Sequence, residues 1–262
     1  MILISKDKNS IVTIDKGELV SYKKDGEELI HQKGTPGWRN SDTEMFPIIG
    51  GPTEANNFMV STPKGIVPQD QHGLLRELKY KLLKNNKSSA IFIKEYNANT
   101  KVKNSKHPEK STQKLVYWPY NFKFNKTYKL TNESLTISFD IESENGMPFM
   151  LGYHPAFKLN GNGSELCKTN SHTATIQNIM DGGSSAYPIL ETDEITLLKE
   201  KGYNIYIKTE GFNNFMLWTE VNNMLCIEPI TKYPYSNKKE LSSNLFNISK
   251  GKEKYNVEIK PF

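Results

Sequence analysis

The stretch Leu135-Thr136-Ile137-Ser138-Phe139-Asp140-Ile141-Glu142 alternates without interruption between apolar and polar side chains. A period of two puts Leu135, Ile137, Phe139 and Ile141 on one face of an extended chain and the polar residues on the other. That is a strand with one face in a core and one in water. Asn132 and Glu133, just ahead of it, read as a turn.

The same period recurs outward from this strand. Phe122, Phe124, Tyr128 and Leu130 flank Asn125-Lys126-Thr127 and suggest a hairpin. Ile11, Val12 and Ile14, then Leu19 and Val20, then Leu29 and Ile30 give three short strands, with Asp25-Gly26 as a hairpin turn between the last two. Further strands are expected at 90–93, 173–176, 203–208, 215–218, 224–228 and 255–259. Residues 74–83 fit two periods. Leu74, Leu78 and Leu82 recur at helical spacing, Leu78, Tyr80 and Leu82 alternate, and the strand reading is preferred. No sustained amphipathic helix, internal repeat or linker stands out. The 262 residues are therefore expected to form one all-β domain, 1–262, as a sandwich or barrel. The long aperiodic stretches 31–71, 97–114 and 177–193 are where function concentrates in such a domain.

Composition excludes several classes. Charged residues make up 24% of the chain, and no apolar run is long enough for a membrane-spanning helix. The start, Met1-Ile2-Leu3-Ile4-Ser5-Lys6-Asp7, becomes charged too early for a secretory leader. Cys167 and Cys226 are the two cysteines and have no metal-like spacing, so a reduced, cytoplasmic setting is expected. The net charge of +5 is spread along the chain without a Lys/Arg stripe, which argues against nucleic acid as a partner. The basic stretch 101–114 reads as a solvated loop. Arg39 and Arg76 are the two arginines among 34 basic residues. A guanidinium persists where a planar fork must bridge two oxygens, although two survivors of a lysine-favouring composition would look the same.

Two segments combine an apolar run with an ionisable residue before proline. In Met147-Pro148-Phe149-Met150-Leu151-Gly152-Tyr153-His154-Pro155-Ala156-Phe157, a buried strand ends at His154. Proline lacks an N–H for the ladder and holds the preceding residue extended, which fixes where His154 points. In Met224-Leu225-Cys226-Ile227-Glu228-Pro229, alternation puts Met224, Cys226 and Glu228 on one face. His154 and Glu228 could be a general acid and base. Equally, His154 could cap a strand edge and Glu228 pair with a lysine. His72, in Gln71-His72-Gly73, is a weaker candidate. Trp38-Arg39-Asn40 suits a sugar, with an indole to stack on C–H faces beside a bidentate donor, but Trp38 could also be a core plug. His31, His107 and His172 sit in polar contexts and are expected at the surface. Nucleotide loops, HExxH, CxxC and GxSxG are missing from the sequence, so no metal or cofactor is expected.

Four short motifs in order resemble the aldose 1-epimerase (mutarotase) family, near its LacX-type bacterial branch. They are Phe46-Pro47-Ile48-Ile49-Gly50, His72-Gly73 with Arg76, Pro148-Phe149 with Gly152-Tyr153-His154-Pro155-Ala156-Phe157, and Cys226-Ile227-Glu228-Pro229. The resemblance implies a galactose-mutarotase-like β-supersandwich of antiparallel sheets with a sugar groove. It implies His154 as general acid, Glu228 as general base, and His72 and Arg39 as sugar ligands. The pair would start with His154 protonated and Glu228 ionised, and would interconvert the anomers of a hexopyranose. Ile230 stands where relatives often carry tryptophan, and Trp38 where galactose enzymes carry asparagine. For the family's substrate-binding aspartate, Asp193 is the nearest offering. The rival readings are a non-catalytic carbohydrate-binding protein on the same fold and a mutarotase for hexose 6-phosphates. The expected partner is a small-molecule sugar, with no membrane, and the protein is expected as a monomer or homodimer.

Overall fold

A computed structural model describes residues 1–38, 42–235 and 243–262. Its architecture is nearly all β, built from antiparallel ladders. The opening strand, Leu135–Ser143, is an interior strand of a nine-stranded sheet, between Phe122–Leu130 and the central Lys252–Pro261. Its buried positions are Leu135, Ile137, Phe139 and Ile141, as the alternation requires.

The main core lies between the inner face of this sheet and a six-stranded sheet. The second sheet runs in the order Tyr187–Leu190, Asn214–Trp218, Met224–Ile230, Gly152–His154, Thr43–Met45, with Ala156–Lys158 also paired to Met224–Ile230. Leu225, Ile227, Phe215, Leu217 and Tyr153 face inward to the main core. Their alternates turn to the opposite face: Met216 and Ile230 join one small cluster, Met224 and Cys226 another, and Trp218 touches both. Period two thus gives the six-stranded sheet a second apolar face, and this face carries the candidate site.

The Asn125-Lys126-Thr127 hairpin does not form. Phe122–Leu130 is one straight strand. Lys126 occupies a core position in its alternation and is fully buried, with Nζ 2.6 Å from both Asp42 and Glu44. The polar triplet resembled a turn because its inward lysine is neutralised by partners far away in sequence. Lys94 joins this cluster, 3.7 Å from Glu44, and donates to the Leu75 carbonyl. A buried charge is tolerable only when paired in this way.

Other expectations also shift. The Met147–Phe157 run is not one strand but three short ones, Pro148–Phe149, Gly152–His154 and Ala156–Lys158, broken around Pro155. Residues 74–83 split between a 3-10 turn, Leu75–Glu77, and the start of the strand Lys81–Asn85. Leu29 and Ile30 form no strand, and Ile30 makes an isolated bridge to Phe157. The segment 177–193 contains most of a short helix, Ile176–Asp181, capped by the Thr175 hydroxyl, which accepts from the Asn178 N–H. His31 is buried rather than exposed; its ring bonds the Thr35 hydroxyl and the Pro36 carbonyl. Among the described residues, no helix is long and apolar enough to cross a membrane.

Candidate active site

Register brings the two proline-flanked motifs together. Gly152 lies opposite Ile230, and Ala156 lies opposite Cys226. The same register places His154 beside Glu228, with Nε2 and Oε1 3.3 Å apart. Glu228 does not end its strand, which continues through Pro229 to Ile230. Both side chains project from the outer face, where Glu228 is 2% exposed and His154 12%.

Aromatic rings surround the pair. Trp38 lies 5.3 Å from the His154 ring, His72 5.7 Å and Trp218 6.3 Å, centroid to centroid. Trp38 is buried against Ala156, Met224 and Cys226, so it is both a packing residue and a wall of the site. Trp218 is opposite Cys226 on the next strand. Its period-two strand is visible in the sequence, but its place beside the site is not, because cross-strand neighbours leave no signal along the chain. Tyr235 also escaped notice. Its hydroxyl closes over Gly50, where an added Cβ would come within 2.7 Å of it.

His72 is held from below. Its Nδ1 contacts the Ile49 carbonyl at 2.9 Å, a contact that fixes Nδ1 as the protonated nitrogen and leaves Nε2 an acceptor. The turn that delivers it is pinned to Phe46: the Phe46 N–H donates to the His72 carbonyl and the Leu75 N–H to the Phe46 carbonyl. Gly73 makes this approach possible. Its φ is +71°, and a Cβ there would collide with the Phe46 carbonyl oxygen. Arg76 is largely but not fully buried and paired with Asp70, with Glu77 3.8 Å away. Its guanidinium thus bridges carboxylates of its own turn, although its charge still reaches His154.

Arg39 lies outside the described residues. The Asp193 carboxylate pairs with Lys208 at 2.9 Å and is about half exposed, and its backbone carbonyl accepts from the Thr209 N–H; neither partner belongs to the site.

Burial sets the proton balance. It drives the His154 imidazolium down to about 3, with the charges of His72 and Arg76 adding to the effect. It drives His72 down to about 4. It pushes the Glu228 carboxyl well above its ordinary value. Burial of the empty site therefore disfavours charge on both His154 and Glu228, whereas the charge-separated form expected from sequence needs both ions. The physical reason is desolvation, which penalises both ions at once.

The chain belongs to the aldose 1-epimerase family, whose family model matches residues 17–213. It is similar to the protein LacX of Lactococcus lactis subsp. lactis, in its plasmid form, at 27% identity over 164 residues. That match covers 57% of this chain and 49% of LacX, so it spans about half the length of this relative. In fold, it is similar to a galactose mutarotase-like protein from Lactobacillus casei ATCC 334, with a TM-score of 0.81, 16% identity and full coverage of both chains. A galactose mutarotase related enzyme from Lactobacillus acidophilus superposes with a TM-score of 0.74 at 17% identity, covering 100% of this chain and 97% of that one. The galactose-mutarotase-like fold implied by the motifs is thus the fold of the molecule.

Proposed function

We propose that the protein is an aldose 1-epimerase acting as a single domain, with His154 and Glu228 as its acid–base pair and Trp38, His72 and Arg39 holding the sugar. The observation that carries this reading is the 3.3 Å approach of His154 to Glu228 on a buried, aromatic-walled sheet face. A non-catalytic sugar-binding protein would need the walls and not the pair.

The pair carries one transferable proton. Burial of the empty site favours that proton on Glu228. Ring opening needs a base at the C1 hydroxyl and an acid at the ring oxygen. The proton therefore passes to His154 as the sugar hydroxyls enter and hydrogen-bond the carboxylate, which favours the ionised form. Glu228 then takes the C1 hydroxyl proton while His154 protonates the ring oxygen, giving the open aldehyde. The C1–C2 bond rotates. On reclosure His154 takes back the ring-oxygen proton and Glu228 returns its proton to the new C1 hydroxyl. Every proton is recovered, so the cycle is closed by these two side chains alone. General acid–base assistance of this kind contributes about 10²–10⁴-fold.

Polarimetry on freshly dissolved α-glucose and α-galactose tests the activity. Accelerated decay of rotation supports it; sugar binding with an unchanged rate would leave a binding protein instead. One observation favours a phosphorylated sugar as a second reading. Lys106 is near enough for its charge to act on His72. Comparing glucose with glucose 6-phosphate separates the two substrates.

A further inference from the structure

Cys226 has no part in the acid–base cycle, yet it is two residues from Glu228 on the same face of the same strand. A ring nitrogen of His154, the Cys226 sulfur and a Glu228 carboxylate oxygen all lie within 4.8 Å of one another. We propose that these three side chains form a binding site for a thiophilic divalent cation, with Zn²⁺ the best match, and that cation and sugar exclude one another there. The exclusion rests on the epimerase reading; the cation site does not.

The donor set decides the class of ion. One imidazole, one thiolate and one carboxylate suit Zn²⁺, whereas Mg²⁺ and Ca²⁺ call for oxygen ligands. Zinc bond lengths put neighbouring donors of a tetrahedral site about 3.3–3.8 Å apart. The His154–Glu228 contact already meets this at 3.3 Å. The sulfur lies within 4.8 Å of both other donors, so it must close by at most about 1 Å to bind. Thiolate and carboxylate together balance the two charges of the ion. Sugar and cation would both need His154 and Glu228, so they compete for the same two side chains.

The site is built for reversible rather than permanent occupancy. A resident zinc histidine normally has its second ring nitrogen hydrogen-bonded to an outer partner. The buried Nδ1 of His154 has no hydrogen-bond partner among the described residues. Ligation also displaces the thiol and carboxyl protons, so binding tightens as pH rises. The sequence offered no metal pattern because two ligands are separated by a single residue and the third comes from another strand. Cys226 could otherwise be read as a small buried apolar group, and the test distinguishes these roles.

The full-length protein is titrated with Co²⁺ in the absence of sugar and followed by absorbance. The expected result is a thiolate-to-cobalt charge-transfer band with visible bands of a tetrahedral site, bleached by Zn²⁺. Cys226→Ser removes the charge-transfer band, whereas Cys167→Ser, a change at a buried thiol on the other sheet, retains it. His154→Gln keeps the thiol and weakens Co²⁺ binding at least about tenfold. A wild-type protein with no charge-transfer band, or a band that survives Cys226→Ser, overturns the site. Should Cys226→Ser fail to fold, the His154→Gln titration decides, and unchanged Co²⁺ affinity there overturns it. In mutarotation assays Zn²⁺ inhibits the wild type, chelation restores it, and Cys226→Ser is at least about tenfold less sensitive. Cobalt bands without any mutarotation would keep the site and discard the epimerase reading.

Discussion

The Tyr153 hydroxyl donates a 2.6 Å hydrogen bond to Asp42 on the inner face of the six-stranded sheet, and the next residue, His154, meets Glu228 on the outer face. One strand thus links a buried ion cluster to the acid–base pair. Asp42 also accepts from Lys126 at 2.6 Å and from the Leu19 N–H. Removing the Tyr153 hydroxyl leaves a buried carboxylate with one donor fewer. Tyr153→Phe is expected to cost about 1–3 kcal/mol in urea unfolding and to lower kcat with KM little changed, because it loosens the strand carrying His154. An unaltered kcat would separate the cluster from the site.

Lys126→Met goes further, since Asp42 and Glu44 both lose a cation 2.6 Å away. Breaking one side of a buried ion cluster costs about 3–5 kcal/mol. Chemical denaturation measures this directly, and a loss below about 1 kcal/mol would mean that the cluster carries little of the fold's stability.

Gly73→Ala tests how His72 is delivered. The substitution forces a side chain into positive φ and against the Phe46 carbonyl oxygen. A loss of at least about 2 kcal/mol and a raised KM for sugar are expected. Near wild-type stability would show that the His72 turn relaxes freely.

The proton balance predicts the pH dependence of stability. His72 and His154 sit at about 4 and about 3 in the folded chain, below the ordinary histidine value of about 6.5 that the unfolded chain shows. The unfolded state binds more protons between those limits, so stability is lost as pH falls from about 6.5 toward 3. Glu228 acts in the opposite sense: its raised value makes stability fall as pH rises above the ordinary carboxyl range. Melting temperature followed across pH should therefore decline less steeply on the acid side in His72→Gln, and less on the alkaline side in Glu228→Gln. Parallel curves for wild type and variants would contradict the assigned protonation states.

Much of this was legible in the chain because period two is a local signal. Leu135 to Ile141, and Met224 to Glu228, could be assigned faces without knowing their partners. What was not legible depends on neighbours distant in sequence. Lys126 broke a strand on paper because Asp42 and Glu44 were not yet beside it. Trp218, Tyr235 and the approach of Cys226 to His154 required the order of strands in the sheet, which no spacing along the chain reveals. The burial that disfavours charge on His154 and Glu228 was hidden for a similar reason: desolvation depends on side chains such as Trp38, Trp218 and His72 that other strands and loops bring around them.

The most direct test of the account is the rate of anomer exchange in wild type, His154→Ala and Glu228→Gln, followed by polarimetry on fresh α-glucose and α-galactose at equal protein concentration. A fall of at least about 100-fold is expected in each variant, with sugar binding retained in both. Near wild-type exchange in either variant would contradict the assignment of His154 and Glu228 as the acid–base pair.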